Sequence, residues 1–260
     1  MVPAILQRYV ELVYDKIAIS NWLNIIAQIT KIIQYFFYYF SDVPYVMKTD
    51  DDMYINIAQL HDLVSRNRIT YLLTGALICG AKPRRDPNDK YYSSYSMYPG
   101  EVYPEYVSGT GYLMSNSTAS IIFKMALSVP VFHMEDVYIT GILPSKVTEI
   151  AKNKDTKLVN NSAENGSSLW TEQPYVDIQP PLIRPTDDYR FSLYPAKYDP
   201  CVYNQIISSH HIPEDQIRKL YADILSIRLK PQQCSKLTPA QLRPYSPCSN
   251  NFWNRILNMF

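Results

Sequence analysis

Apolar positions recur along residues 21–40 at the spacing of a helix. Trp22, Ile25, Ile26, Ile29, Ile32, Ile33, Phe36 and Phe37 fall on one face, and Asn24, Gln28 and Lys31 on the other. This pattern predicts an amphipathic helix packed on a core. A membrane span is the alternative, and Lys31 near its middle opposes it. Residues 43–48 then read as a buried strand. Asn56 is placed to cap a helix reaching about Asn67, with Ile57, Leu60, Leu63 and Val64 on its buried side. Tyr71 to Cys79 reads as a strand, and Gly80 to Tyr103 as a polar loop. Ser108 to Ser115 reads as a glycine-containing turn, and Ser115 as the cap of a helix ending near Ser128. Val131 to Met134 reads as a short strand, with Glu135 and Asp136 opening a helix behind it.

From about Lys152 to Arg190 the periodicity lapses, and a long irregular insertion is expected. Cys201 to Ser209 looks strand-like. Pro213 starts a helix with Glu214 and Asp215 in its first turn and Ile217, Leu220, Tyr221 and Ile224 on its buried face. Alternating strands and helices make the class α/β with a mixed sheet. The expected division is one domain over residues 1–230 followed by a tail over 231–260.

Composition narrows the possibilities. The 260 residues are 47% hydrophobic and 19% charged, which excludes a disordered chain. The net charge of +1 gives no electrostatic case for nucleic acid or an acidic membrane. Met1 to Ile19 carries no signal-peptide pattern. The 23 tyrosines suit either carbohydrate binding or a tyrosine-rich core. The four cysteines lack CxxC spacing, which argues against zinc and leaves disulfides open. Sequons at Asn116, Asn160 and Asn165 lean toward the secretory pathway.

The chemistry gathers around Lys48 to Asn56, KTDDDMYIN. Asp50, Asp51 and Asp52 stand between two apolar runs, where like charges repel. A hard divalent cation with oxygen ligands would offset them, and an acidic turn is the plainer alternative. Glu135-Asp136 forms a second acidic site, for which helix capping is the plainer reading.

Four segments in order resemble the β-1,3-galactosyltransferase family, glycosyltransferase family 31. They are KTDDDMYIN, GAKPRRDPNDKYY (Gly80 to Tyr92), YPEYVSGTGYLMS and FHMEDVYITG; a fifth, CVYNQIISSHHIPEDQ, is similar to the family's closing unit. The resemblance implies a GT-A fold, a UDP-sugar donor, Mn²⁺ and inverting transfer in β-1,3 linkage to a glycan acceptor. It implies Asp52 and His210 as metal ligands, with His211 a neighbour that complicates the assignment. It implies Asp50, Asp51 and Arg85 on the donor, Asp136 as base with Glu135 beside it, and Tyr91, Gly109, Gly111 and Tyr112 near the acceptor. It carries a lumenal Golgi location, with a membrane anchor not seen in this chain. Family members have first nucleotide-binding strands upstream, most of which are expected to be missing here. N-acetylglucosamine is the alternative donor sugar, and an inactive glycan- or partner-binding relative is the alternative class.

Overall fold

The computed structural model describes residues 11–14, 43–66, 69–161, 182–194, 198–243 and 248, with the backbone alone at 11–14, 153–161 and 231. The helix expected over 21–40 lies outside these residues. Among the described residues no helix is long and apolar enough to cross a membrane.

Two sheets organise the chain. The larger takes strands β1 (Glu11–Tyr14), β2 (Tyr45–Thr49), β4 (Leu73–Ile78), β5 (Tyr106–Ser115) and β6 (Thr186–Asp187) in the order β1-β2-β5-β4-β6. β1 runs parallel to β2 and β6 parallel to β4, while β5 is antiparallel to both its neighbours. The mixed α/β class is therefore as expected. The smaller sheet pairs β3 (Tyr54–Ile55), β8 (Ser208–Ser209) and β7 (Phe191–Ser192).

Period-two alternation gives the large sheet two different faces. Tyr45, Met47 and Leu113 point to a core shared with helix α1 (Ile57–Arg66), through Leu60, Leu63 and Val64. Val46, Leu73, Tyr112 and Met114 point to the opposite core, shared with helices α2 (Asn116–Ala126) and α3 (Leu143–Asn161). Lys48 lies on this second face, two residues beyond Val46 and directly across from Tyr112. A third core under the small sheet joins Tyr54, Tyr203, Ile206 and Ile212 to Leu220 and Ile224 of helix α5 (Glu214–Leu229).

Several boundaries follow the local chemistry. Asn56 caps α1 through its Oδ1, which accepts from Gln59 N at 3.3 Å. Its Nδ2 donates to the carbonyls of Tyr203 and Asn204, so the cap also ties α1 to the C-terminal half. Ser115 Oγ accepts from Thr118 N at 3.2 Å and caps α2. At the sequon residue Asn116, Nδ2 donates to Val43 O at 2.9 Å. A glycan there would replace one of that nitrogen's two hydrogens.

Five expectations change. The SGTGY stretch is the middle of a ten-residue strand, not a turn. Gly111 pairs with Thr49 of β2, and both glycines lie where the β4–β5 register shifts. Val131 to Met134 is not a strand; it is an irregular approach to the Glu135 helix. The irregular stretch expected from Lys152 is helical in its first part, where α3 runs to Asn161. Cys201 to Ser209 is mostly not strand. Asp199 caps a short helix, α4 (Pro200–Tyr203), by accepting from Cys201 N, and only Ser208–Ser209 is extended. Tyr221 also departs from the buried face of α5: it is 45% exposed, while its hydroxyl donates to Ile55 O.

Two disulfides fasten the C-terminal stretch. Cys201 pairs with Cys234, and Cys79 pairs with Cys248, 169 residues away in sequence. Leu242, in helix α6 (Pro239–Leu242), is buried in the third core, and Arg243 pairs with Asp187.

Candidate active site

The two acidic sites lie at neighbouring edges of the paired strands β2 and β5. β2 ends at Thr49, opposite Gly111, and Asp50 N reaches Thr110 O. The chain then turns through Asp51 and Asp52 into β3. Tyr54 pairs with Ser209 and Ile55 with Ser208. Continuing that antiparallel register brings His210 and His211 alongside the acidic turn, and Ile212 N donates to Asp52 O at 3.1 Å.

His210 Nε2 stands 3.3 Å from Asp52 Oδ1 and 3.9 Å from Asp50 Oδ2, and His211 Nδ1 stands 2.9 Å from Asp52 Oδ2. His211 holds a left-handed backbone with φ of 57°, a costly conformation for a residue with a Cβ. One ligand atom from each of Asp52, His210 and His211 falls within 4.8 Å of the others. One carboxylate and two imidazoles form a donor set that could hold a divalent first-row cation. His211 entered the sequence reading only as a complication. Asp51 is exposed.

The second site is built by a widened helical turn. Glu135 and Asp136 open a helix whose residues Val137–Ile142 bond five residues apart, as Leu143 N does to Tyr138 O. Pro144 follows and has no N–H, so the usual bond back to the Thr140 carbonyl cannot form. Widened turns of this kind gather at functional sites. Thr140, fully buried, knits the turn to β5. Its Oγ1 accepts from Val107 N at 3.0 Å and lies 2.5 Å from Asp136 O.

Both oxygens of Asp136 are held by backbone. Oδ1 accepts from Val137 N at 2.8 Å and Oδ2 from Gly109 N at 3.1 Å. Each oxygen keeps acceptor capacity for a further hydroxyl, and the side chain is only partly buried. Burial pushes its pKa up, against the opposing pull of the two backbone N–H groups and Lys48. Glu135 is more deeply placed. Its Oε1 accepts from Tyr112 OH at 2.5 Å and its Oε2 is 3.9 Å from Lys48 Nζ. Burial pushes Glu135 up to about 7, with Lys48 opposing and Asp136 adding.

The other expected residues divide. Gly109 serves the carboxylate directly: a Cβ there would stand 3.3 Å from the Asp136 Cβ. Gly111 faces Met53, Ser208 and Met47 instead. Tyr112 is 1% exposed and cannot present its ring to a sugar, so the expected acceptor contact gives way to support of Glu135. Tyr91 is 48% exposed and remains available to a ligand. Arg85 donates to the carbonyls of Ser93, Tyr98 and Gly100 and lies over the Tyr95 ring, which accounts for its position as an organiser of the 80–105 loop. Lys48, which sequence reading passed over, touches both acidic sites.

The chain is also similar in sequence to known proteins. The family model described as "Galactosyltransferase" matches residues 16–155. Human beta-1,3-galactosyltransferase 2 is 31% identical over 189 residues, covering 70% of this chain and 36% of the relative. Human beta-1,3-galactosyltransferase 5 is 43% identical over 96 residues, covering 36% of this chain and 31% of that protein. Mouse beta-1,3-galactosyltransferase 1 is 28% identical over 190 residues, covering 72% and 47% respectively. The chain thus spans between about a third and a half of the length of these relatives. A family match over more than half of the chain, together with a mixed α/β fold that holds the matched motifs at one sheet edge, makes this chain a member of the galactosyltransferase family.

Proposed function

We propose that this chain is an inverting hexosyltransferase that moves galactose from UDP-galactose to a glycan acceptor in β-1,3 linkage. The observation that carries this reading is Asp136, a carboxylate held by two backbone N–H groups with lone pairs left over, near a separate acidic turn. In this mechanism Asp136 takes the proton of the acceptor hydroxyl. The hydroxyl oxygen bonds to the anomeric carbon from the face opposite the nucleotide. The bond from that carbon to the diphosphate oxygen breaks, and UDP leaves with the electron pair. The raised pKa of Asp136 makes it a stronger base than a solvated carboxylate. Glu135, held by Tyr112, keeps the helix start in place and carries a proton for part of the time near neutrality.

Asp52, His210 and His211 fit a divalent cation, Mn²⁺ by family resemblance. Such an ion, held by these residues, would neutralise charge on the departing diphosphate. Asp50 and Asp51 are assigned to the donor's ribose side, and the exposed Tyr91 to an acceptor sugar face. The two disulfides support an oxidising compartment, consistent with the lumenal Golgi side.

A transfer panel tests the reading. UDP-galactose and UDP-N-acetylglucosamine are each offered with β-linked acceptors and Mn²⁺, and the product linkage is read by NMR. β-1,3-Galactosyl product supports it. N-Acetylglucosaminyl product replaces the donor sugar. Absence of any transfer by a folded chain favours a non-catalytic binding role.

A further inference from the structure

Lys48 is the point where the two acidic sites meet. Its ammonium lies 2.5 Å from Asp50 Oδ1, 2.6 Å from Gly109 O and 3.9 Å from Glu135 Oε2. The side chain is 14% exposed, so these interactions act in a medium less screening than bulk water. Gly109 is held from both sides. Its carbonyl accepts from Lys48, and its N–H donates to Asp136 Oδ2.

We infer that Lys48 is a positioning residue that couples the donor-side acidic turn to the catalytic base. It fixes Asp50 on one side and, through Gly109, the aim of Asp136 on the other. This rests on the transferase reading for its catalytic consequence but not for the coupling itself. The charges agree with the geometry. Asp50, Glu135 and Asp136 are three carboxyl groups around one partly buried ammonium, and each interacts favourably with it. Removing the ammonium would leave them to repel one another. Geometry explains the residue type as well. Lys48 shares a sheet face with Tyr112, its cross-strand partner, and both reach Glu135, so the pair forms the floor under the widened turn. A compact ammonium on a long stem can sit between acceptors arriving from β2, β5 and the turn, where a planar guanidinium has a different fork.

The test compares the full chain with Lys48→Met, Lys48→Gln and Lys48→Arg. The first readout needs no activity. The carboxyl carbon of Glu135 is followed by ¹³C NMR against pH, assigned through Glu135→Gln. The groups facing Glu135 are Lys48 and Asp50 from the β2 end, Tyr112 from β5, and Asp136 beside it. Both neutral variants are expected to move its titration upward by about one unit, and Lys48→Arg to leave it near the wild-type position. The second readout is kinetic. The neutral variants are expected to lose on the order of 10–100-fold in kcat, with donor KM raised by the loss of the Asp50 contact and the acid limb of the pH–rate profile moved to higher pH. Lys48→Arg should recover part of that loss. An unmoved Glu135 titration in folded neutral variants overturns the coupling, whether or not wild type is active. A moved titration in a wild-type background without transferase activity supports the coupling and places the failure in the transferase reading. If both neutral variants fail to fold while Lys48→Arg keeps wild-type kcat, placement of the ammonium is overturned as the aiming device.

Discussion

Gly109 and Asp136 are fitted to each other at bonding distance. Gly109 N donates to Asp136 Oδ2 at 3.1 Å, and a Cβ on Gly109 would meet the Asp136 side chain at 3.3–3.4 Å. The glycine is needed for close approach, not for an unusual backbone angle. Gly109→Ala is therefore expected to push the carboxylate aside without disturbing β5. Steady-state kinetics should show kcat reduced on the order of 10–100-fold, and a thermal melt should show a shift of only a few degrees.

Asp136→Asn keeps the shape of the side chain and removes its basicity. A general base contributes roughly 10²–10⁴-fold. The expected result is a loss of that size in transfer rate, with UDP affinity within about threefold of wild type. Retained rate would move the base elsewhere, Glu135 being the nearest candidate.

Stability should depend on pH through Glu135. Burial raises its pKa from the ordinary 4.5 to about 7. Between those values the folded chain holds a proton that the unfolded chain has released. The stabilising contribution is fully present below about pH 4.5 and is lost as pH rises through about 7. Asp136 shifts in the same sense. His210, lowered chiefly by burial, acts the other way, its contribution being lost as pH falls. Comparing wild type with Glu135→Gln isolates the one group. The glutamine variant should gain relative stability between pH 5 and 8, by about 2–3 kcal/mol in urea denaturation.

Thr140→Val removes a fully buried hydroxyl that accepts from Val107 N and lies beside Asp136 O. Valine preserves the volume and leaves the Val107 amide without its partner. A loss of about 1–3 kcal/mol is expected in urea denaturation.

Much of this architecture was readable along the chain, because it is local. Asn56 and Ser115 announce their helices through short-range capping chemistry, and the apolar run before Asp50 marks β2. Other features were hidden for physical reasons. Glycines at 109 and 111 resemble a turn in sequence, yet both lie in strand β5, where Gly109 permits the close approach of Asp136. Asp199-Pro200 is a helix-start signal that the apolar Cys201 to Ile207 run overshadowed. The Lys48 contacts depend on which face of β2 meets the widened turn, and no local pattern carries that. His211 joins Asp52 only through the β3–β8 register and a left-handed backbone. The four motif segments nominated candidate residues, while the structure gives the surroundings of Gly109, Tyr112 and Arg85.

The proposed function stands on a metal-dependent nucleotide-sugar site that works with Asp136. Its most direct test is calorimetric titration of UDP into the chain with Mn²⁺ and again with EDTA, for wild type, Asp52→Ala, His210→Ala and His211→Ala. Binding is expected to require Mn²⁺, to be lost in Asp52→Ala, and to weaken at least about tenfold in each histidine variant. No binding by folded wild type under either condition, or binding indifferent to Asp52 and to Mn²⁺, would contradict it.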